Sequence, residues 1–448
     1  MNHPPSAYDM QIDDISFNDI SIFHQEESYS IFNKLNFTRT EGGKEWLRRF
    51  FSTPFNDIKK ITGTQNILKQ LTDHVDEWPE EITNGTVLVM IKFLDYALDS
   101  IGNNPSAIDA FVYRILHSAD YSMAKFSIKH FTDFFRGLKK IETILSKVDM
   151  PLHFKVYIDR INHLLNNIEP FRQMAETAKD DIIPQHKILY FAANVRSNHK
   201  IEVQELIDIF SRLDAWYSMA FAVKKYQLHF PTFIESDNPF IKAKGLYHLL
   251  LQDPVPYNML MSPEQNFLFL TGANMAGKST LIKSVGASVF LAHIGMGVPA
   301  SEMQLTMFDG LISNINVVDN ITKGESFFFN EVQRIKSTVQ KISDGKKWLV
   351  LIDEIFKGTN IEDAMRCSLA VIKGLIKVKT SLFILSTHLY EIGDELQDLP
   401  TIAFRHFETT VTDDALSFSY QLKEGISKDR LGFLILKREK VVDLLEGL

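Results

Sequence analysis

A single cysteine, Cys367, in 448 residues leaves no internal disulfide to form, so the fold must be held by packing and hydrogen bonds. No uninterrupted run of about 18 apolar residues occurs, which excludes a helix spanning a bilayer and leaves no membrane partner to expect. Met1 to Gln11 are polar and lack the charged-then-apolar order of a secretory signal, so a cytoplasmic location is expected. Positive charge is short as well: 48 Lys and Arg stand against 56 Asp and Glu, a formal net charge of −8. That balance removes a whole-chain electrostatic reason to expect nucleic acid, while a local basic face could still exist within a net-acidic total. Internal repeats and low-complexity segments are missing too. What remains is an ordinary globular composition, 45% hydrophobic and 23% charged, long enough for two or three domains.

The hydrophobic texture changes near residue 230. Before it, apolar residues recur at helical spacing. Trp46, Leu47, Phe50 and Phe51 form one stripe ending before Pro54, and Ile58, Ile61, Leu68, Leu71 and Val75 form another after the N-cap candidate Asp57. Leu206, Ile207, Phe210, Leu213, Tyr217, Ala220 and Val223 predict one long amphipathic helix over 203–226, about 35 Å at ~1.5 Å per residue. Pro231 helps to stop it. After the break come apolar runs of strand length, Phe267 to Leu270, Trp348 to Ile352 and Ser381 to Leu385, each followed by a turn and a helical pattern. Such alternation predicts a mostly parallel α/β sheet. The fold class expected is therefore an all-α N-terminal half and an α/β C-terminal half, divided near residue 229. The stretch 105–199 reads as helical scaffold without nameable chemistry.

Gly272-Ala273-Asn274-Met275-Ala276-Gly277-Lys278-Ser279 matches G-x-x-x-x-G-K-[ST], and Thr280 extends it. A strand runs in, and Leu281, Ile282, Val285 and Val289 give helical spacing running out. The glycines let the backbone curl so that its N–H groups point at phosphate oxygens, and the helix adds the positive end of its dipole. Lys278 would reach the β- and γ-phosphates of a nucleotide, and Ser279 would place its hydroxyl on Mg²⁺. The run Trp348 to Glu354 supplies the acids: Asp353 to hold Mg²⁺, usually through water, and Glu354 to orient or polarise the attacking water. The third strand leads into Ser386-Thr387-His388, where the histidine could sense the γ-phosphate; alone, a histidine after a strand is more often structural, and its place as the third element shifts it to the site.

These residues resemble the ATPase domain of the MutS DNA mismatch-repair family. Gly272 to Thr280 is similar to that family's G-P-N-M-G-G-K-S-T and keeps the Asn274-Met275 pair. Ala292-His293-Ile294-Gly295 with Val298-Pro299-Ala300 looks like Y-I-G-x-x-V-P-A. Gly324 to Glu331 looks like the signature G-x-S-T-F-x-x-E, with Phe327 in place of threonine. Asp353-Glu354-Ile355-Phe356-Lys357-Gly358-Thr359 resembles D-E-I-G-R-G-T, and Thr387-His388 falls where the family has A-T-H. In the other half, Ser30 to Thr40 with Gly43, Trp46, Leu47, Arg48 and Pro54 looks like the start of the family's helical core. Phe230-Pro231-Thr232-Phe233 looks like the end of its lever. The similarity covers about residues 28–72 and 203–436.

The resemblance implies an ABC-type P-loop ATPase acting as a homodimer. In it Ser326 would face the partner's nucleotide in trans, and Asp363 would lie in the segment that crosses the interface. ATP would favour the closed dimer because its γ-phosphate contacts both subunits, and hydrolysis would remove that contact. The 203–226 helix would carry the change. Ser326 as a helix cap before Glu331 is the plainer reading of that residue. The division implied is an extension over 1–27, a helical core and lever over 28–228 with room for a shortened clamp in 105–199, and an ATPase over 229–448 with C-terminal dimerisation elements.

Some 27 residues ahead of the helical core are too few for the family's mismatch-reading and connector domains. Neither Phe233-Ile234-Glu235 nor Phe329-Asn330-Glu331 sits where its F-x-E wedge belongs. Nor is a nuclease-like appendage expected after the ATPase. Basic pairs at Arg48-Arg49, Lys59-Lys60, Lys139-Lys140 and Lys224-Lys225 are scattered and read as solvated helix faces. The expectation is a MutS-type ATPase that closes on double-stranded DNA by shape, in repair or DNA-structure recognition; the alternative is an ATP-driven dimeric switch that engages a protein partner, such as another repair protein, without touching DNA. A protruding basic tip in 105–199 would favour the first, and a segment folded back on the core the second.

Overall fold

The computed structural model describes residues 9–316, 327–411, 416–427 and 440–446. They group into two units. One holds residues 9–34, 53–62 and the described residues from 226 onward, the other residues 35–52 and 63–225. The chain before residue 35 folds with the α/β unit. Its strand β1 (Gln11–Ile12) pairs in parallel with a strand some 300 residues further on, helix α1 (Asp14–Asp19) follows, and α2 (Ile31–Lys34) buries Ile31 and Phe32. A two-residue strand and one-turn helices carry no readable hydrophobic period, so their membership is set by tertiary contacts.

The helical unit runs from α3 (Glu41–Ser52) through α4 (Ile58–Thr72), which begins in the other unit, α5 (Asn84–Asp95) and α6 (Ala107–Leu116) to α7 (Ser118–Leu145). Then come α8 (Leu152–Asn167), α9 (Glu169–Glu176), α10 (Gln185–Ala193), a π-helical turn over Asn194–Asn198, and α11 (Lys200–Tyr226). Helix α7 is the hub. Tyr121, Ala124, Ile128, Phe131, Phe135 and Leu138 keep the three- and four-residue spacing of one buried face, and α5, α8, α9 and α10 pack around it. The rings of Phe135 and Phe171 stack at 4.5 Å, and Phe93 meets Phe131 edge-on at 5.8 Å. Each such side chain contributes about 1.5–3 kcal/mol by leaving water. The 105–199 segment is therefore built into the core of its unit.

Helix α11 departs from the amphipathic expectation. Leu206, Phe210, Leu213, Trp216 and Tyr217 are buried, and so are Ser211, Asp214 and Ser218. The polar ones serve backbone: Asp214 accepts the N–H groups of Arg39 (3.0 Å) and Thr40 (2.9 Å) and the Thr40 hydroxyl (2.7 Å), and Ser218 accepts the Phe37 N–H at 2.7 Å. Gly43 permits this approach, since a Cβ there would lie 2.1 Å from an Asp214 oxygen. None of the described helices is long and apolar enough to cross a membrane.

In the α/β unit two sheets form. β2 (Thr232–Phe233), β3 (Ile241–Leu246), β4 (Tyr257–Met261) and β6 (Glu302–Leu305) make a four-stranded sheet in the order β2-β6-β3-β4. The larger sheet holds β5 (Phe267–Thr271), β7 (Gly310–Asn314), β8 (Trp348–Asp353), β9 (Ser381–Ser386), β10 (Ile402–Val411) and β11 (Leu416–Glu424), in the order β1-β7-β8-β9-β5-β10-β11. Every pairing in it is parallel except β10 with β11. β5, β8 and β9 are buried at every residue, as strands covered on both faces must be. Trp348, Val350 and Ile352 face a core shared with α13 (Phe327–Ile342), α14 (Ile361–Leu375) and α15 (Glu391–Leu396). Leu351, on the opposite face by the two-residue alternation, meets α12 (Lys278–His293), where a Cβ on Gly286 would come within 2.6 Å of it. Connections thus leave β5 and β9 on opposite faces, α12 toward the β7 side and α15 toward β10, which opens a crevice at their carboxyl ends.

Candidate functional site

Register brings the motif residues together. Asp353 stands opposite Ser386, and Ser386 opposite Leu270, so β8, β9 and β5 end level. The loops beyond them are tied: Glu354 N–H donates to the Ser386 carbonyl and Thr387 N–H to that of Leu270, both at 3.0 Å. In the loop after β5, Gly272 (φ +138°) and Gly277 (φ +109°) hold backbone conformations that side chains strain, and Met275 (φ 67°) forms the exposed tip. Helix α12 begins at Lys278, so its unpaired N–H groups face the same crevice as the loop.

Lys278 is buried, and its Nζ donates to the carbonyls of Gly272 (2.8 Å) and Ala273 (3.0 Å), with His388 Nε2 at 3.5 Å. Burial lowers its pKa, against the pull of the Glu354 and Asp353 charges. Glu354, itself at φ 59°, pairs through Oε1 with His388 Nε2 at 2.5 Å and through Oε2 with Lys357 Nζ at 3.1 Å. Burial raises its pKa, but the His388 and Lys357 bonds and charges outweigh that and hold it down to about 2. Asp353 is buried at the end of β8 and accepts the Ser386 hydroxyl. Ser279 and Asp353 offer a hydroxyl and a carboxylate, the hard oxygen donors that Mg²⁺ takes.

A cleft of about 450 Å³ is lined by Lys278, Ser279, Thr280, Glu354 and the loop residues Ala273, Asn274, Met275 and Gly277. Its other wall was not anticipated: Leu251, Asp253, Val255, Tyr257 from β4 and Tyr420 from β11. A Cβ on Gly277 would touch the Tyr257 hydroxyl at 3.5 Å and the Tyr420 ring at 3.6 Å, so two aromatic rings stand over the loop. No motif marks these residues in the sequence. Glu331, on α13, is a further addition: its carboxylate accepts the N–H groups of Lys357 (3.1 Å) and Gly358 (3.2 Å) and so ties the signature helix to the loop that carries Glu354. Asp363 sits in the first turn of α14, capped by Asn360 at 3.0 Å. Ser326 lies outside the described residues.

Residues 268–443 match the family model described as MutS domain V. The chain is similar to the DNA mismatch repair protein MutS of Petrotoga mobilis, 26% identical over 280 residues that make up 61% of this chain and 34% of that protein. It is 29% identical to the Bacillus velezensis protein of the same name, over 54% of this chain and 28% of that one. Similarity to the DNA mismatch repair protein spellchecker 1 of Drosophila melanogaster reaches 32% over 39% of this chain and 19% of the relative. The chain thus spans about a third or less of the length of these relatives.

Proposed function

We propose, from the match to MutS domain V over residues 268–443 and the similarity to MutS proteins, that the chain is a MutS-type ATP-hydrolysing dimeric switch that closes on double-stranded DNA. The observation that carries the ATPase reading is the convergence of Lys278, Glu354 and His388 at the level carboxyl ends of three neighbouring strands. The backbone of Gly272 to Thr280 would cradle the phosphates and Lys278 would neutralise the β- and γ-phosphates. Ser279 and Asp353 would hold Mg²⁺, which when bound supplies charge neutralisation on the transferring phosphoryl group.

Glu354 acts on the attacking water. A carboxylate held near pKa 2 is a weak base, so its part is to orient the water, which suits a loose phosphoryl-transfer transition state that needs little early proton transfer. His388 and Lys357 keep it ionised and aimed. Ser326 of one subunit would complete the partner's site, with Asp363 at the crossing segment, and α11 would carry the closed state to the helical unit. The second reading, a switch that grips a protein partner, gains from one observation: residues 105–199 pack around α7 inside their own unit.

The deciding experiment measures ATP turnover and retention on end-blocked against open duplexes, matched and mismatched, with and without ATP at stated salt. ATP-dependent retention on end-blocked duplex supports the DNA switch. Turnover with equal, negligible retention everywhere transfers the proposal to a protein partner, and absence of turnover refutes both.

A further inference from the structure

Two residues of the loop after β8 hold a left-handed backbone without being glycine: Glu354 at φ 59° and Phe356 at φ 61°. That conformation is uncommon for any side chain and an outlier for a bulky one, and it persists only where the surroundings enforce it. At the position of Phe356 the motif D-E-I-G-R-G-T, which this loop resembles, has a glycine, the residue that takes the conformation freely. This chain therefore carries strain at the carboxylate of the cleft and again two residues on.

The loop is gripped at both ends. At its start, the Glu354 N–H is held by the Ser386 carbonyl of β9. At its end the grip comes from α13. Glu331 is 4% exposed, and its two oxygens accept consecutive N–H groups, Oε1 that of Lys357 at 3.1 Å and Oε2 that of Gly358 at 3.2 Å. The buried Phe356 ring meets Phe328, one turn earlier on α13, with centroids 5.7 Å apart. Gly358 is pressed onto the same turn, where a Cβ would lie 2.7 Å from the Phe328 nitrogen.

A buried carboxylate is a costly way to cover a loop, because an apolar side chain would exclude water without giving up hydration of its own. What the carboxylate adds is direction, two charge-assisted bonds that fix two successive peptide planes. One of the residues so fixed reaches the cleft: Lys357, held by its N–H, returns its ammonium to Glu354 Oε2 at 3.1 Å. A continuous path thus runs from α13 through Glu331 and Lys357 to the Glu354 carboxylate.

We infer that Glu331 is a positioning residue for Glu354: α13, through Glu331 and Phe328, holds the 354–358 loop in its strained shape, so that orientation of the attacking water depends on the docking of α13 while nucleotide binding does not. The inference rests on the proposed part of Glu354 in ATP hydrolysis.

A double-variant cycle separates this role from a merely structural one. Glu331→Gln keeps the volume but offers one oxygen to two N–H donors and sets NH₂ against the other. In the full chain, single-turnover release of phosphate should fall about tenfold, the scale of one buried charge-assisted hydrogen bond, while affinity for a fluorescent ATP analogue stays unchanged. Added to Glu354→Gln, the same substitution should cost less than twofold, because the group it positions is already disabled. A merely structural role would weaken analogue binding together with the rate, or take the same tenfold in both backgrounds. Either result overturns the inference, as does an unaltered rate. Phe328→Leu, which loosens the same grip without touching a carboxylate, should repeat the pattern with about a threefold loss and serves in its place if Glu331→Gln does not fold; loss of analogue affinity, or an equal loss in both backgrounds, would again overturn it. Glu354→Gln alone is the control. If it leaves turnover within threefold, the proposed part of Glu354 fails and the inference with it; if it falls about 10² while Glu331→Gln departs from the pattern, the inference alone fails.

Discussion

Glu354→Gln tests the chemistry most directly. Gln keeps the volume; its one oxygen can accept from Lys357 and its NH₂ can donate to an unprotonated His388 Nε2, the two partners at 3.1 and 2.5 Å, so the loop should hold its shape. What is lost is the negative charge that orients the water. General bases contribute about 10²–10⁴ in rate. A carboxylate held down to about pKa 2 sits at the weak-base end of that range, so a fall of about 10², or ~2.7 kcal/mol of barrier, is expected. ATP affinity should stay the same or tighten, because one charge repelling the triphosphate is gone. Single-turnover release of inorganic phosphate, beside titration with a fluorescent ATP analogue, separates the two effects. The wild-type rate should also show no limb belonging to Glu354 between pH 5 and 8, since its carboxyl is ionised throughout. Turnover within threefold of wild type would refute the role. An acid limb near pH 4–5 that vanishes in the variant would refute the low pKa.

Lys278→Ala should weaken ATP binding at least tenfold, since a charge-assisted bond is worth about 1.5–3 kcal/mol; calorimetric titration giving an unchanged affinity would contradict the phosphate cradle. Gly310→Ala should destabilise the α/β unit by about 1–3 kcal/mol, because the new Cβ would lie 2.1 Å from the ring of the buried Trp348; an unshifted urea midpoint would count against that packing. Asp214 gives a pH signature. Burial outweighs its hydrogen bonds and pushes its carboxyl up to about 6, so between about pH 4 and 6 the folded chain holds the proton more tightly than the unfolded chain, whose Asp titrates near 3.9. Stability therefore falls as pH rises through that window, by roughly 3 kcal/mol, and is level above it. In Asp214→Asn that slope should be missing from denaturant curves, and parallel curves for the two proteins would disprove it.

The residues that could be read from sequence are those whose chemistry is local. Gly272 to Thr280, Asp353-Glu354 and His388 each follow a short apolar run, and such runs became β5, β8 and β9 because continuous apolar sequence demands cover on both faces. What the cleft takes from elsewhere was hidden for the opposite reason. Tyr257 and Tyr420 reach it only through the pairing of β4 and of β11, and pairing register between distant strands leaves no mark on either segment alone. Asp214 was missed differently: one acid in a long helix looks like part of a solvated face, and only the approach of Gly43 makes it the anchor for the start of α3. The stripe of α11 was likewise legible, but its burial on nearly all sides was not, since Ser211, Asp214 and Ser218 are polar residues employed inside.

The pairing of β1 with β7 has a consequence in time. Ser313, which binds Asp19, is made 294 residues after it. At roughly 5–20 residues per second, the N-terminal segment waits about 15–60 s during synthesis for the strand it must join. Over that interval the intervening helices can pack around α7, while Met10, Ile20, Ile22 and Phe32, all buried in the finished protein, have no sheet to cover them. Burial of those side chains thus waits on a sheet synthesised long after them.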